Sequence, residues 1–388
     1  LTLIGLGKPA FLDYDEAIYA KVLHDSIENG DLLSLTKDGK PWFDKPPLYF
    51  LLMAASTAVF GETEFALRLP GALFTIFAIL LTWLIAYEMT HDDILASSAA
   101  FVLLTTTIFI FGGRQVRFDV PATVMTLFAF YSFLKGQSGS PWWYLGMGVG
   151  AAGAFFFRSV LGLLVFPYIG IYAFFTRQWQ WLKNNFFWLG ILAMAGILIP
   201  WFIYQTYIVG TPFWTEHILG HILGRYVNPI IGTQESFYYT KKLFALIEPW
   251  AIIFIVATLF SFFSKFLNAS YKSASNAFFA ITLFTLFLFG ASASKLFYYI
   301  FPMIPFVALF IALTGVPLLR YFWKTAPKTV ALGMSFFLAG AVSLTMIQIF
   351  FPPEEDTLLL PLGSYTQRFA EEEKILGTLI RSSDLPVY

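Results

Sequence analysis

The sequence predicts an all-α membrane protein, a polytopic bundle of transmembrane helices. Hydrophobic residues make up 58% of its 388 residues, and only 12% are charged. A soluble domain carries about twice that charged fraction. Within a bilayer, only helices and closed barrels satisfy the backbone polar groups. Barrels have short alternating segments, whereas the apolar runs here are long and continuous, so a helical bundle is favoured.

Apolar runs between charged residues define the predicted spans. They are 67–88, 94–111, 120–134, 142–157, 160–175, 186–208, 243–264, 276–292, 297–318 and 329–351. The run 47–60 is too short to cross, and we interpret it as an interfacial or re-entrant helix. The first ten or so residues, from Leu1, are half of what a span needs. We interpret them as the end of a truncated first transmembrane helix.

Lys and Arg residues concentrate between alternate spans. They are Lys135, Arg177, Lys183, Lys265, Lys272, Arg320, Lys324 and Lys328. The positive-inside rule makes this set cytoplasmic. A transmembrane domain over 1–351 then has two long extracytoplasmic loops, 11–66 and 209–242, and 352–388 begins an extracytoplasmic C-terminal segment. The net charge is zero, so no nucleic-acid partner is indicated.

Four glycines, at 146, 148, 150 and 153, fall within one predicted span. Small residues let helix backbones approach closely in membranes. We interpret this stretch as a helix-packing surface and assign it no chemistry.

Polar residues suited to chemistry fall at the extracytoplasmic ends of helices and in the loops there. They are Asp13, Asp15, Glu16, Asp44, Lys45, Arg114, Arg117, Asp119, Arg158, Glu216, His217, His221, Arg225 and Lys295. Because they come from six separate parts of the chain, a bundle could bring them into one pocket. Arg158 has apolar runs on both sides, and a cation at full depth costs about 2.5–3.5 kcal/mol. It is therefore expected to face an anion or a cavity.

Several of these residues have more than one interpretation. The acids at 13–16 could form a solvated loop, a metal site or a base. Asp119 could act in the site or cap a helix. His217 and His221, with Glu216, could ligate a divalent metal or lie on an interfacial helix.

Together the cations suit a phosphate or pyrophosphate, and the carboxylates suit a base or a metal. A departing phosphate needs neutralising cations, and an incoming hydroxyl needs a base. Sugar transfer from a polyprenyl-phosphate donor at the membrane surface uses these parts.

Five motifs occur in a particular order along the chain. They are Asp15-Glu16-Ala17-Ile18-Tyr19-Ala20, Asp44-Lys45-Pro46-Pro47, Arg117-Phe118-Asp119, Arg158-Ser159-Val160-Leu161-Gly162 and Lys295-Leu296-Phe297-Tyr298-Tyr299-Ile300-Phe301-Pro302. This ordered set resembles the GT-C integral-membrane glycosyltransferases. Within them it is similar to the protein mannosyltransferase-like group, which includes the bacterial transferase of 4-amino-4-deoxy-L-arabinose to lipid A.

The resemblance implies roles for the matching residues. Asp15 would be the catalytic carboxylate assisted by Glu16, and Asp119 would support them. The donor phosphate would be bound by Lys45, Arg158, Arg225, Lys295 and Tyr299. Asp44 and His217 would be candidate ligands of a divalent metal. The donor would be a polyprenyl-phosphate sugar and the acceptor a lipid, glycan or protein, at the periplasmic face of a bacterial inner membrane.

Three positions depart from the family pattern. Ile18 stands where the family has Arg, Phe297 where it has Pro, and Arg158 where it usually has Lys. Arg keeps the charge of Lys but presents it as a planar fork. These changes affect the expected donor and acceptor more than the expected fold.

Two other functions remain open from the sequence. A transporter or flippase for an anionic or lipid-linked substrate would carry its polar residues near the midplane, often in paired repeats. Here they gather at one face and no internal repeat is found, which favours an enzyme. A scaffold that has lost activity is conceivable because of Ile18, but Asp15, Asp44 and Lys45 are present.

The predicted topology can be tested by labelling single introduced cysteines, because the chain has none of its own. Cysteines in 11–66 and 209–242 should react with an impermeant reagent from outside the cell. Cysteines beside Lys135 or Lys272 should react only after permeabilisation. Labelling of 11–66 solely from the cytoplasm would reverse the assignment.

Overall fold

A computed structural model describes residues 2–8, 14–217, 237–263, 267–293 and 295–350. Six helices in these ranges are long and apolar enough to cross a membrane, or up to eight if each bent pair is one span. The predicted helical membrane bundle is confirmed. The predictions for Asp13, His221, Arg225 and 352–388 lie outside the described residues.

The predicted loop 11–66 contains more regular structure than its sequence indicated. It holds helix α1 (Tyr14–Glu28), an antiparallel pair of two-residue strands, β1 (Thr36–Lys37) and β2 (Lys40–Pro41), and helix α2 (Leu48–Phe60). Before it, residues 2–8 form turns, with Gly5 at a φ of 64°. The helix end predicted at the N-terminus is therefore absent from these residues.

The middle of the chain is a series of apolar helices. They are α3 (Glu64–Thr90), α4 (Asp93–Leu104), α5 (Thr107–Gly113), α6 (Asp119–Ser138), α7 (Trp143–Arg158), α8 (Val165–Thr176) and α9 (Asn185–Ile208), with a 3-10 segment at Ser159–Leu164. The later helices are α10 (Tyr238–Leu246), α11 (Ala251–Phe263), α12 (Ala269–Gly290), α13 (Ile304–Thr325) and α14 (Pro327–Phe350), with a 3-10 segment at Phe297–Met303.

The predicted span 94–111 is not one helix, since α4 and α5 meet at 66°. The hydroxyls of Thr105 and Thr106 donate to the carbonyls of Phe101 and Val102 one turn earlier. Hydrogen bonds of this kind compete with the helical ladder and bend helices. The Trp250 indole N–H donates to the Thr105 hydroxyl, 3.0 Å away, and joins the bend to the next bent pair.

The predicted span 243–264 is also broken, because α10 and α11 meet at 109°. Pro249 lies between them, and its ring removes a backbone donor and restricts the residue before it. A single straight helix through this sequence is therefore disfavoured. Trp250 fills the bend and packs on Phe101 and Phe337.

Residues 143–176 are a continuous apolar stretch of 34 residues, but the chain turns back within it. Tyr144 packs on Phe133 and Tyr172 packs on Phe130, so both ends of the stretch lie beside the same end of α6. Arg158, between them, pairs with Asp119 at the opposite end of α6. The two predicted spans 142–157 and 160–175 therefore fit the contacts better than one long span.

We call the two faces of the bundle the Asp119 end and the Ser138 end, after the first and last residues of α6. A cleft of about 860 Å³ opens at the Ser138 end. It is lined by the ends of several helices, including Thr90, Ser138, Arg177 and Ser270. Arg177 belongs to the set of cations predicted to be cytoplasmic, so the prediction puts the Asp119 end outside.

The glycines of α7 lie against neighbouring helices, as predicted for a packing surface. A Cβ on Gly148 would lie 1.9 Å from the carbonyl oxygen of Gly190 in α9, and one on Gly190 would lie 2.1 Å from that of Tyr144. A Cβ on Gly150 would lie 2.8 Å from Ala129 in α6. The absence of side chains at these positions sets how closely α7 approaches both helices.

We expect Gly190→Ala to destabilise the protein, because the added methyl group forces α7 and α9 apart. Overpacking of this kind costs about 1–3 kcal/mol. Gly196→Ala in the same helix is the matched control, since its Cβ meets nothing within 4 Å. Thermal unfolding of the purified variants in detergent should show a lower midpoint for Gly190→Ala only. Equal midpoints would contradict the close contact.

Candidate active site

Four charged side chains and one aromatic ring form a series at the Asp119 end of the bundle. Arg117 Nη1 lies 3.8 Å from an Asp15 carboxylate oxygen, and Arg158 Nη1 lies 2.9 Å from one of Asp119. The Tyr298 ring contacts both cations, with its centroid 4.6 Å from the Arg117 Cζ and 5.1 Å from the Arg158 Cζ. We call this series, Asp15–Arg117–Tyr298–Arg158–Asp119, the charged ladder.

The ladder is assembled from four parts of the chain. Asp15 is in the first turn of α1, Asp119 opens α6, Arg158 ends α7, and Tyr298 belongs to the 3-10 segment before α13. Because α6 and α7 run in opposite directions, the start of one meets the end of the other. Helix termini therefore bring these charges together without a long loop.

The two carboxylates of the ladder differ in access. The Asp119 side chain is 4% exposed and that of Arg158 is 10% exposed, so this pair is nearly closed to solvent. The Asp15 side chain is 32% exposed, and its contact with Arg117 is longer. The more exposed Asp15 carboxylate can be reached by a substrate, whereas the buried Asp119 holds Arg158 in place.

Lys45 approaches the ladder from the loop before α2. Asp119 interacts electrostatically with Arg158, Arg117 and Lys45. The Lys45 ammonium is also 3.4 Å from the carbonyl oxygen of Asp44. Pro46 and Pro47 follow directly and restrict the backbone where α2 begins. The structure thus brings Lys45 into the electrostatic field of the ladder.

Tyr19 and its aromatic neighbours form the wall of the site. Its ring centroid is 4.7 Å from that of Phe118 and 6.2 Å from that of Trp42, which ties α1 to α6 and to the loop before α2. Burial, and after it the Asp15 carboxylate, raises the pKa of the Tyr19 hydroxyl well above its ordinary value. Tyr19 therefore stays protonated at neutral pH and can donate a hydrogen bond.

Both ring nitrogens of His217 are engaged. Nδ1 lies 2.6 Å from the carbonyl oxygen of Phe43, and Nε2 lies 3.3 Å from the Ser159 hydroxyl. A carbonyl can only accept, so Nδ1 carries the proton and Nε2 accepts from Ser159. Ser159 has a φ of 55°, unusual for a non-glycine residue. His217 thus links the loop before α2 to the turn after Arg158.

The predicted metal site is not supported by this arrangement. In the described ranges, no group of three or more His, Asp or Glu side chains could hold a metal ion. His217 would have to release one of its two hydrogen bonds to become a ligand. Asp44 and His217 therefore stay unconfirmed as ligands, and no step below involves a metal.

Two other predicted phosphate-binding residues are placed differently. Tyr299 lies beside the ladder, with its ring centroid 5.3 Å from the Arg158 Cζ. Lys295 is 6% exposed, and its ammonium donates to the carbonyl of Ser292 in its own turn, 2.8 Å away. Within the described part of the chain, Lys295 makes no hydrogen bond or ion pair with a residue of the ladder, so its role stays a prediction.

Glu16 forms a buried ion pair with Arg68 of α3. The Arg68 Nε and Nη2 donate to its two carboxylate oxygens at 2.8 and 2.7 Å, and the Val116 N–H donates at 2.8 Å. The side chains are 0% and 1% exposed. The predicted role of Glu16 beside Asp15 does not fit this geometry, because an acceptor or a metal cannot reach the carboxylate. Glu16 instead connects α1, α3 and the segment that leads into α6.

The part of the chain that forms the site is similar to known proteins. Residues 44–204 match the family described as dolichyl-phosphate-mannose-protein mannosyltransferase. A Pseudomonas fluorescens protein named undecaprenyl phosphate-alpha-4-amino-4-deoxy-L-arabinose arabinosyl transferase 2 is 26% identical over 272 residues, 65% of this chain and 43% of its own. An uncharacterized protein of Aquifex aeolicus is 23% identical over 317 residues, 80% of this chain and 61% of its own.

The crystal structure of ArnT from Cupriavidus metallidurans bound to undecaprenyl phosphate superposes with a TM-score of 0.74 at 20% identity. The match covers 87% of this chain and 61% of ArnT. The chain has the GT-C fold. The resemblance predicted from the ordered motifs is confirmed, and the chain spans about two-fifths to three-fifths of the length of the curated relatives it matches.

The GT-C arrangement includes residues whose importance the sequence did not indicate. Arg68-Leu69-Pro70 also fits the family pattern at the start of α3, but the sequence gives Arg68 no role, and Tyr298 occupies an unspecified position of that pattern. Burying an arginine between apolar helices requires a partner, so Arg68 within the run 64–90 was a possible signal. Nothing in the sequence pairs Tyr298 with two guanidinium groups.

Removing one partner of the buried ion pair should cost more stability than removing one partner of an exposed pair. Glu16→Gln leaves Arg68 buried without its counter-charge, a change that costs about 3–5 kcal/mol. The double variant Glu16→Met with Arg68→Met should unfold at a higher temperature than either single Met variant. Asp92→Asn is the control at the exposed pair with Arg320, where about 1 kcal/mol or less is expected. Equal melting temperatures for Glu16→Gln and wild type would contradict the assignment.

Proposed function

We propose that this integral membrane protein is a glycosyltransferase that moves a sugar from a polyprenyl-phosphate donor to a hydroxyl of a lipid, glycan or protein acceptor. The supporting observation is the charged ladder, in which the accessible Asp15 lies beside cations fixed by a buried partner and by aromatic rings. The named relative is a transferase of a polyprenyl-phosphate sugar, and the matching family description is of the same kind. Neither description points to transport.

Asp15 acts on the acceptor in this proposal. It accepts the hydroxyl proton while the acceptor oxygen attacks the anomeric carbon of the donor sugar. The new carbon–oxygen bond forms as the bond from that carbon to the phosphate oxygen breaks. The electron pair of the broken bond leaves with the polyprenyl phosphate, and attack from the opposite face inverts the anomeric configuration.

Arg158 and Lys45 stabilise the departing phosphate. The leaving group gains negative charge as the bond breaks, and fixed cations at a poorly solvated site lower that barrier. Asp119 keeps Arg158 oriented through their buried ion pair. We propose that the site faces the periplasm from a bacterial inner membrane, so that donor and acceptor are both presented by the lipid phase.

Single substitutions of Asp15 and of Arg158 should separate the role of the base from the role of phosphate binding. Asp15→Asn should lower the single-turnover rate by about 100-fold or more, the lower range for a positioned base, with little change in polyprenyl-phosphate affinity. Arg158→Ala should weaken both, because it removes charge from the phosphate. Lys328→Ala, which removes an exposed cation at the start of α14, is the control and should change neither.

The assay combines a labelled undecaprenyl-phosphate sugar with acceptor lipid in proteoliposomes, and undecaprenyl-phosphate binding is measured separately. Normal turnover of Asp15→Asn with reduced affinity would show that the roles are assigned wrongly. Vectorial movement of the donor without a new glycosidic product would favour a transporter instead.

A further inference from the structure

Tyr298 has two distinct surroundings, one at its ring and one at its hydroxyl. The ring contacts the Arg117 and Arg158 guanidinium groups, both within the distance at which cations interact with aromatic faces. Phe297 and Tyr299 pack edge-on against the same ring at 5.1 and 5.5 Å. Four contacts therefore fix the ring plane.

The ring also lies against two like charges in a poorly solvated place. The two guanidinium groups repel each other, and each here has its own carboxylate. The π system of the ring attracts both. Removing the ring should thus let Arg117 and Arg158 move, and the geometry of the phosphate-binding side would change with them.

The hydroxyl of Tyr298 has no hydrogen-bond partner in the described part of the chain. Two tyrosine hydroxyls of the core do have one: Tyr168 bonds Thr285 at 2.8 Å, and Tyr239 bonds the carbonyl of Leu296 at 2.8 Å. Tyr298 is only half-buried, so a substrate can approach it. Tyr298 and Asp15 both lie against Arg117, the ring centroid 4.6 Å from its Cζ and a carboxylate oxygen 3.8 Å from its Nη1, so Tyr298 is on the side of the ladder where the acceptor would bind.

We propose that Tyr298 is a substrate-contacting residue: its ring holds Arg117 and Arg158 in place, and its hydroxyl binds an oxygen of the transferred sugar or acceptor beside Asp15. The proposal rests on the proposed glycosyltransferase function. It goes beyond the family pattern, since the conserved tyrosine of that pattern corresponds to Tyr299. The substrate group at this position must be a hydroxyl or another oxygen able to accept or share a hydrogen bond.

Two substitutions separate the hydroxyl from the ring. Tyr298→Phe keeps the ring, so the melting temperature and undecaprenyl-phosphate affinity should stay within about twofold of wild type. Its single-turnover rate should fall by about tenfold, as expected for one lost hydrogen bond of this size. Tyr298→Leu removes the ring as well and should weaken undecaprenyl-phosphate binding by about fivefold or more, in the range of a cation–π contact.

Tyr168→Phe is the matched control, because it removes a tyrosine hydroxyl from the core between α8 and α12. It should leave turnover and undecaprenyl-phosphate affinity unchanged even where stability falls. If Tyr298→Phe turns over like wild type, the hydroxyl contact is refuted. If Tyr298→Leu binds undecaprenyl phosphate like wild type, the role of the ring is refuted.

The experiment also separates this proposal from the proposed function. A wild-type protein that binds undecaprenyl phosphate but forms no glycoside with mannosyl or 4-amino-4-deoxyarabinosyl donors would count against glycosyl transfer, and with it against the hydroxyl contact. The affinity of Tyr298→Leu would still decide the role of the ring. Active wild type with fully active Tyr298→Phe would overturn the hydroxyl contact alone.

Discussion

The bidentate ion pair between Glu16 and Arg68 is the interaction on which the arrangement of the site depends. Asp15 precedes Glu16, and Arg117 and Asp119 follow the Val116 N–H that the same carboxylate accepts. One buried carboxylate thus determines how α1 and the start of α6 sit on α3. A buried pair of this kind adds little net stability over apolar residues, but losing one partner is costly. It therefore selects one packing of these segments over others.

Much of the fold could be predicted from the sequence because a segment that crosses a bilayer must be a long apolar helix. Long apolar runs predicted nearly every helix after residue 47, including the short helix at Leu48–Phe60, and the break between two runs predicted the turn at Arg158. The bends at Thr105 and Pro249 were not predicted, because hydropathy is insensitive to side-chain hydrogen bonds and to the direction of a helix. Helix α1 was missed for a related reason: it packs by aromatic contacts of Tyr19 and lacks a long apolar run.

The site was harder to predict than the fold. The predicted topology put Asp15, Asp119 and Arg158 at one face, and the structure places them in one ladder. The pairing within that set depends on crossing angles between helices, which the sequence does not specify. Glu16 illustrates the difficulty, since adjacent acids in a motif can point in different directions, one to an open pocket and one to a buried arginine.

The ion pair between Asp119 and Arg158 has a consequence for how the chain enters the membrane. The two residues end neighbouring antiparallel helices joined by the short connection 139–142. Inserted alone, α6 or α7 would carry an unbalanced charge across the hydrocarbon region, whereas a hairpin carries a neutral pair. The translocon should therefore release α6 and α7 together, and the biogenesis of this protein would be sensitive to any change that delays the second helix.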